Sequence, residues 1–159
     1  MDKMKYWLMK SEPDTYSIDD LEREGVNMWE GCRNYTVRNF FRDQFQIGDR
    51  ALFYHSNAEP SGIVGEMEVV SLAYPDPTQF DPASDYFDPK SPREIPRWLA
   101  VDVRFRRRYP RIIPLAEIRT IPELGAMGVV QRGQRLSVMP VTPEEMRIIR
   151  ALVGLPAED

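Results

Sequence analysis

The chain has 159 residues, enough for one domain with a real core and too few for two of ordinary size. Its 21 basic and 25 acidic side chains leave a net charge of −4, which argues against a protein that coats nucleic acid by bulk electrostatics. The single cysteine, Cys32, and the single histidine, His55, exclude an internal disulfide, a cysteine zinc cluster and a multi-histidine site, so neither metal nor cofactor is expected.

No apolar run approaches the roughly 20 residues of a membrane-spanning helix, so no membrane partner is expected. Met1 to Lys5 lead directly into a strand pattern and leave no room for a signal peptide, which points to a cytoplasmic or nuclear location. Tyr6-Trp7-Leu8-Met9 reads as a short buried strand, with Pro13 stopping any ladder beyond it. Ser17 suits a helix cap with Asp20 at the third position and Gly25 past the end. Residues 26–29 read as a brief extended segment. Asn34 then suits the cap of a helix reaching about Phe45, with Val37, Phe40, Phe41 and Phe45 on one face. After the Gly48-Asp49 turn, residues 50–56 and 63–73 read as two antiparallel strands.

Pro75, Pro77, Pro82, Pro89, Pro92 and Pro96 forbid regular structure and imply a long surface loop, which Tyr86 and Phe87 can pin to the body. Residues 98–109 form the clearest strand pattern, with Leu99, Val101, Val103 and Phe105 inward and Pro110 expected to end it. One or two helical turns suit residues 114–119, and another short turn suits 122–127. Residues 136–139 read as a returning strand. Thr142, Pro143 and Glu145 start a closing helix whose apolar face is Met146, Ile149, Leu152 and Val153. The sum is a single α+β domain over residues 1–159, built on one curved sheet or small barrel flanked by helices.

The stretch Trp29-Glu30-Gly31-Cys32-Arg33-Asn34-Tyr35 combines an amphipathic aromatic, a flexible glycine and hydrogen-bonding side chains, a grouping suited to a pocket for a flat polar ligand. Arg33 lies beside the positive end of the following helix, an unfavourable place for a cation without an acidic partner or ligand. A salt bridge to Glu30 or Glu12, with Trp29 in the core, accounts for the same residues. Arg104, Arg106, Arg107, Arg108 and Arg111, interleaved with Phe105 and Tyr109, suit either a solvated strand edge that blocks aggregation or phosphate contacts beside a stacking surface. No standard catalytic motif is present, and His55 reads as a satisfied strand-end residue.

Six segments in order resemble the EVE domain family, the thymocyte nuclear protein family within the PUA-like superfamily. They are Tyr6 to Pro13, Trp29 to Tyr35, Phe53-Tyr54-His55-Ser56-Asn57, Tyr74-Pro75-Asp76-Pro77, Pro96-Arg97-Trp98 and Arg135-Leu136-Ser137-Val138. Cys32 stands where the family carries valine, an exchange between small buried residues. The resemblance implies a PUA-like mixed-strand pseudo-barrel flanked by short helices, akin to the YTH domains that hold a methylated base in an aromatic cage. It further implies a reader, rather than an enzyme, that holds an extruded modified base of DNA or RNA in an aromatic and polar pocket. Its partner would be nucleic acid carrying that base. The implied pocket sets Trp29, Arg33 and Asn34 opposite Tyr54, His55, Ser56 and Asn57, with Ser11 and Glu12 on a third side and Ser137 within reach. The five arginines would hold the backbone. A fold-level alternative is a small amidohydrolase acting on a modified nucleoside, with Lys10 and either Glu12 or Glu66 as a polarised base.

Overall fold

Trp7, Leu8 and Met9 are all fully buried, a run that requires a strand with apolar layers on both faces. The computed structural model, which describes residues 4–157, places that strand, β1 (Tyr6–Ser11), beside β3 (Arg50–His55) in parallel. The other strands are β2 (Val26–Trp29), β4 (Gly62–Val69), β5 (Tyr74–Pro75), β6 (Leu99–Pro114) and β7 (Val138–Val141). Their order is β2-β6-β4-β3-β1-β7, with β5 paired to the start of β6, and every pairing except β1 with β3 is antiparallel. The sheet is therefore mixed and unclosed, with β2 and β7 at its two edges.

One face carries Trp7, Met9, Phe53, Met67, Val101 and Val103 under α1 (Ile18–Glu24) and α2 (Tyr35–Asp43). The opposite face carries Leu8, Leu52, Ile63 and Ile113 against α3 (Leu115–Ile118) and α4 (Pro143–Leu152). The helices begin where the sequence signals them. Ser17 with Asp20 and Thr142 with Glu145 form reciprocal capping boxes, and the Asn34 side chain caps α2. Helix α2 stops at Asp43, but Phe45 just beyond it still stacks on Trp7, with ring centroids 4.3 Å apart.

Several strand boundaries differ from the sequence expectation. Strand β6 runs through Pro110 because its pairing with β4 slips between Ile63, opposite Ile113, and Gly65, opposite Arg108. Residues 109–112 bulge there, where proline need supply no ladder donor. Strand β4 ends at Val69 rather than at Ala73, and the strand expected at 136–139 lies at Val138–Val141. The proline-rich stretch, expected to be irregular, contains β5 and a 3-10 turn, Pro77–Phe80, which the buried Asp76 and Gln79 hold in place. Further bulges on β3–β4 and β4–β6 add twist. The twist curls the sheet until its two edges face one another across a gap.

Candidate functional site

That gap is a cavity of about 480 Å³, within the ~300–1,000 Å³ typical of small-ligand sites. One wall is strand β2 and the turn after it, from Asn27 to Cys32. The facing wall is the end of β1, Lys10 to Glu12, with Arg135 to Ser137 leading into β7. Tyr16, the β3–β4 loop at Ser56 and Asn57, and Tyr86 from the proline-rich loop complete it. The Lys10 N–H donates to the Ser137 carbonyl at 2.8 Å and so extends the β1–β7 pairing along one wall, while Cys32 Sγ, on the other wall, lies 3.9 Å from Ser137 Oγ. Burial pushes the Cys32 thiol up to about 11, so it packs as a small neutral hydrophobe.

Several side chains are held in fixed orientations. Ser11 Oγ donates to the Tyr16 carbonyl at 2.7 Å, and Asn57 Nδ2 donates to Glu12 Oε1 at 2.8 Å. Asn57 has φ +49, a left-handed conformation that asparagine tolerates better than most residues. Trp29 serves core and cavity at once. Its ring meets Phe53 edge to face at 5.4 Å, and only 7% of the residue stays exposed. Burial and the nearby Asp76 charge push the Glu30 carboxyl above its usual range.

Ser11, Glu12, Trp29, Ser56, Asn57 and Ser137 thus line one cavity. Arg33, Asn34, Tyr54 and His55, expected in the same pocket, lie elsewhere. Asn34 Oδ1 is occupied by the N–H groups of Thr36 and Val37 at 2.8 and 3.2 Å, as the cap of α2. Tyr54 is 2% exposed and belongs to the core on the other face, because adjacent strand residues point to opposite sides. His55 Nε2 accepts the Ile18 N–H at the start of α1 at 3.1 Å, and burial lowers the imidazole's basicity, consistent with a neutral acceptor. Arg33 has the acidic partner its position demands, but that partner is Asp76, at 3.0 Å, rather than Glu30 or Glu12.

The arginine strand is paired along its length. Arg104 and Arg106 meet Glu68, Arg107 meets Glu66, Arg108 meets Asp19 and Glu22, and Arg111 meets Glu117. None of the five lines the cavity. Lys10 and Arg135 do, and neither makes an ion pair among the described residues; the Lys10 ammonium lies 5.7 Å from the Tyr54 ring centroid. Glu66 is fully buried, accepting from Tyr109 Oη at 2.6 Å and Arg150 Nη1 at 2.7 Å, and is not part of the cavity lining with Lys10.

The family description of the EVE domain matches residues 5–152. The chain belongs to the EVE domain family. Mouse thymocyte nuclear protein 1 is 43% identical over 166 residues, covering 92% of this chain and 73% of the relative. A crystal structure of a Pseudomonas syringae protein matches this EVE domain with a TM-score of 0.90 at 46% identity, over 92% of this chain and 98% of that one. Human THYN1 protein, solved in complex with 5-methylcytosine-containing DNA, matches with a TM-score of 0.89 at 40% identity, over 94% and 98%. The EVE domain's PUA-like fold is thus shared over most of the chain.

The EVE cavity also includes residues that sequence reasoning left out of the pocket. Asn27 and Met28 read only as strand, and Tyr16 falls in an unremarked loop. Arg135 lies in a segment that carries the family resemblance, and Tyr86 reads as a loop anchor; those were the available signals.

Proposed function

We propose that this EVE domain is a reader of modified nucleobases that holds one extruded base in the cavity between its sheet edges. The supporting observation is the chain-long likeness to human THYN1, solved with 5-methylcytosine-containing DNA, together with a cavity of matching chemistry in this chain. An extruded base needs a π surface and edge partners. Trp29 supplies a ring, and Ser11, Asn57, Ser137 and Glu12 supply donors and acceptors on the facing wall. Glu12 is suited to accept from the exocyclic amine of a cytosine or adenine, with its other oxygen steadied by Asn57. Lys10 and Arg135 hold the phosphates beside the extruded base, while the β6 arginines mainly balance the acidic groups around them.

Titration with oligonucleotides carrying 5-methylcytosine, other modified cytosines, N6-methyladenine or no modification tests this reading. Preference for at least one modified strand is expected; equal, salt-dependent binding to every strand would overturn it. Trp29→Ala also removes a core ring, at a cost of about 3–5 kcal/mol, so Trp29→Leu is the better variant. It is expected to lower the preference while leaving affinity for unmodified strands nearly unchanged.

A further inference from the structure

Trp29, with 7% of its surface exposed, offers a base little free ring area. Tyr86 is a half-buried aromatic of the same cavity, carried by the proline-rich loop. We propose that Tyr86 is a specificity-determining wall of the base pocket and that Arg33 is the positioning residue that holds it there. The inference rests on the base-reader proposal and extends it to the proline-rich loop and to an arginine that stands behind the cavity lining.

The phenol end of Tyr86 lies directly over Gly31, where φ is +86 and an added Cβ would fall 2.6 Å from Tyr86 Cζ. Only glycine permits both the turn and the contact. Arg33 then grips the loop by its main chain. Its Nε and Nη2 donate to the Tyr86 carbonyl at 3.0 and 2.7 Å, Nη2 also donates to Thr78 Oγ1 at 2.9 Å, and Nη1 donates to Asp76 Oδ2 at 3.0 Å. The same Asp76 oxygen accepts the Gly31 N–H at 2.8 Å, so one buried carboxylate fixes both the turn under the ring and the arginine that holds the loop. The Tyr86 hydroxyl has no hydrogen-bond partner among the described residues. Burial, aided by the Glu30 charge, pushes its pKa up, so it remains a donor for an acceptor on a base edge. The planar fork of Arg33 therefore positions a ring rather than contacting the ligand.

The test compares affinities for a modified and an unmodified oligonucleotide across wild type, Tyr86→Leu, Tyr86→Phe and Arg33→Lys, with thermal melting as the check on folding. Tyr86→Leu keeps apolar cover over Gly31 and removes the ring. It is expected to cut the modified-to-unmodified preference by about fivefold or more, the lower end of what one stacked base is worth, with little change for the unmodified strand. Tyr86→Phe is expected to retain more of that preference than leucine does. Arg33→Lys keeps a cation beside Asp76 but loses the two-donor grip on Tyr86, so it is expected to shift the preference in the direction of Tyr86→Leu. Equal weakening toward both strands would mean that the loop is only structural and would overturn the inference. A wild-type preference that survives Tyr86→Leu overturns this inference alone, whereas a wild type with no preference overturns the reader proposal and this inference with it.

Discussion

Gly31 and Arg33 lie two residues apart in the short irregular stretch between β2 and α2 and illustrate how local chemistry commits residues to long-range partners. With φ at +86, a side chain at position 31 incurs the left-handed backbone cost and meets the Tyr86 ring as well. Gly31→Ala is therefore expected to destabilise the fold by about 1–2 kcal/mol from the backbone alone, read as a lower midpoint in urea; an unchanged midpoint would contradict the observed contact. Arg33 shows what was and was not legible in the sequence. Its awkward place at the start of α2 correctly demanded an anion. The anion is Asp76, 43 residues away, and no local pattern could distinguish it from the nearer Glu30 or Glu12. Tyr54 lies in the core of the opposite face, which a motif read along the chain misses because successive strand residues face opposite layers, whereas His55 is taken up by the Ile18 N–H at the start of α1.

Helix starts, the strand pair β3–β4 and the apolar faces of α2 and α4 were legible because caps and periodicity are local properties. Strand β6 was read too short because Pro110 is tolerated only through a bulge set by β4, a tertiary fact. The proline-rich loop is an element in its own right, anchored by Asp76. Desolvation raises the Asp76 pKa, but donors from Gly31, Thr78 and Arg33 outweigh it and hold the carboxyl below its ordinary value. A carboxyl with a depressed folded pKa contributes fully above the unfolded value, about 3.9, and its contribution is lost as pH falls through the lower folded value. The Thr78 amide resonance, which reports its 2.8 Å bond to Asp76, is thus expected to stay nearly constant from about pH 7 to pH 5 and to move mainly in stronger acid; a major transition centred near about pH 6 would contradict the anchor. On the other face, α4 docks through Arg150 on Glu66, both almost fully buried. Glu66→Ala is expected to cost about 3–5 kcal/mol in denaturant unfolding, because it removes the buried carboxylate that Arg150, Arg107 and the Tyr109 hydroxyl share. A loss under about 1 kcal/mol would show that the pair is not what seats the helix.

Across the whole molecule, an acidic chain carrying a basic strand has two ways to meet nucleic acid. Phosphate contact through Lys10 and Arg135 alone releases few counterions, giving a slope of log affinity on log salt of about −2 for duplex DNA. Engagement of the five β6 arginines would steepen it to about −6 or beyond. Surface ion pairs are weak, so the carboxylates of β4, α1 and α3 that meet the β6 arginines do not forbid the second mode, and the slope decides between them. The two sheet edges approach one another at the cavity, and the base-reader proposal places the ligand in that gap. The most direct measurement is a crystal structure of the protein with an oligonucleotide carrying the modified base it binds best. The extruded base is expected between β2 and the β1–β7 edge, in contact with Trp29 and Tyr86; a base left stacked in its strand, with the protein bound through the β6 arginines, would contradict the account.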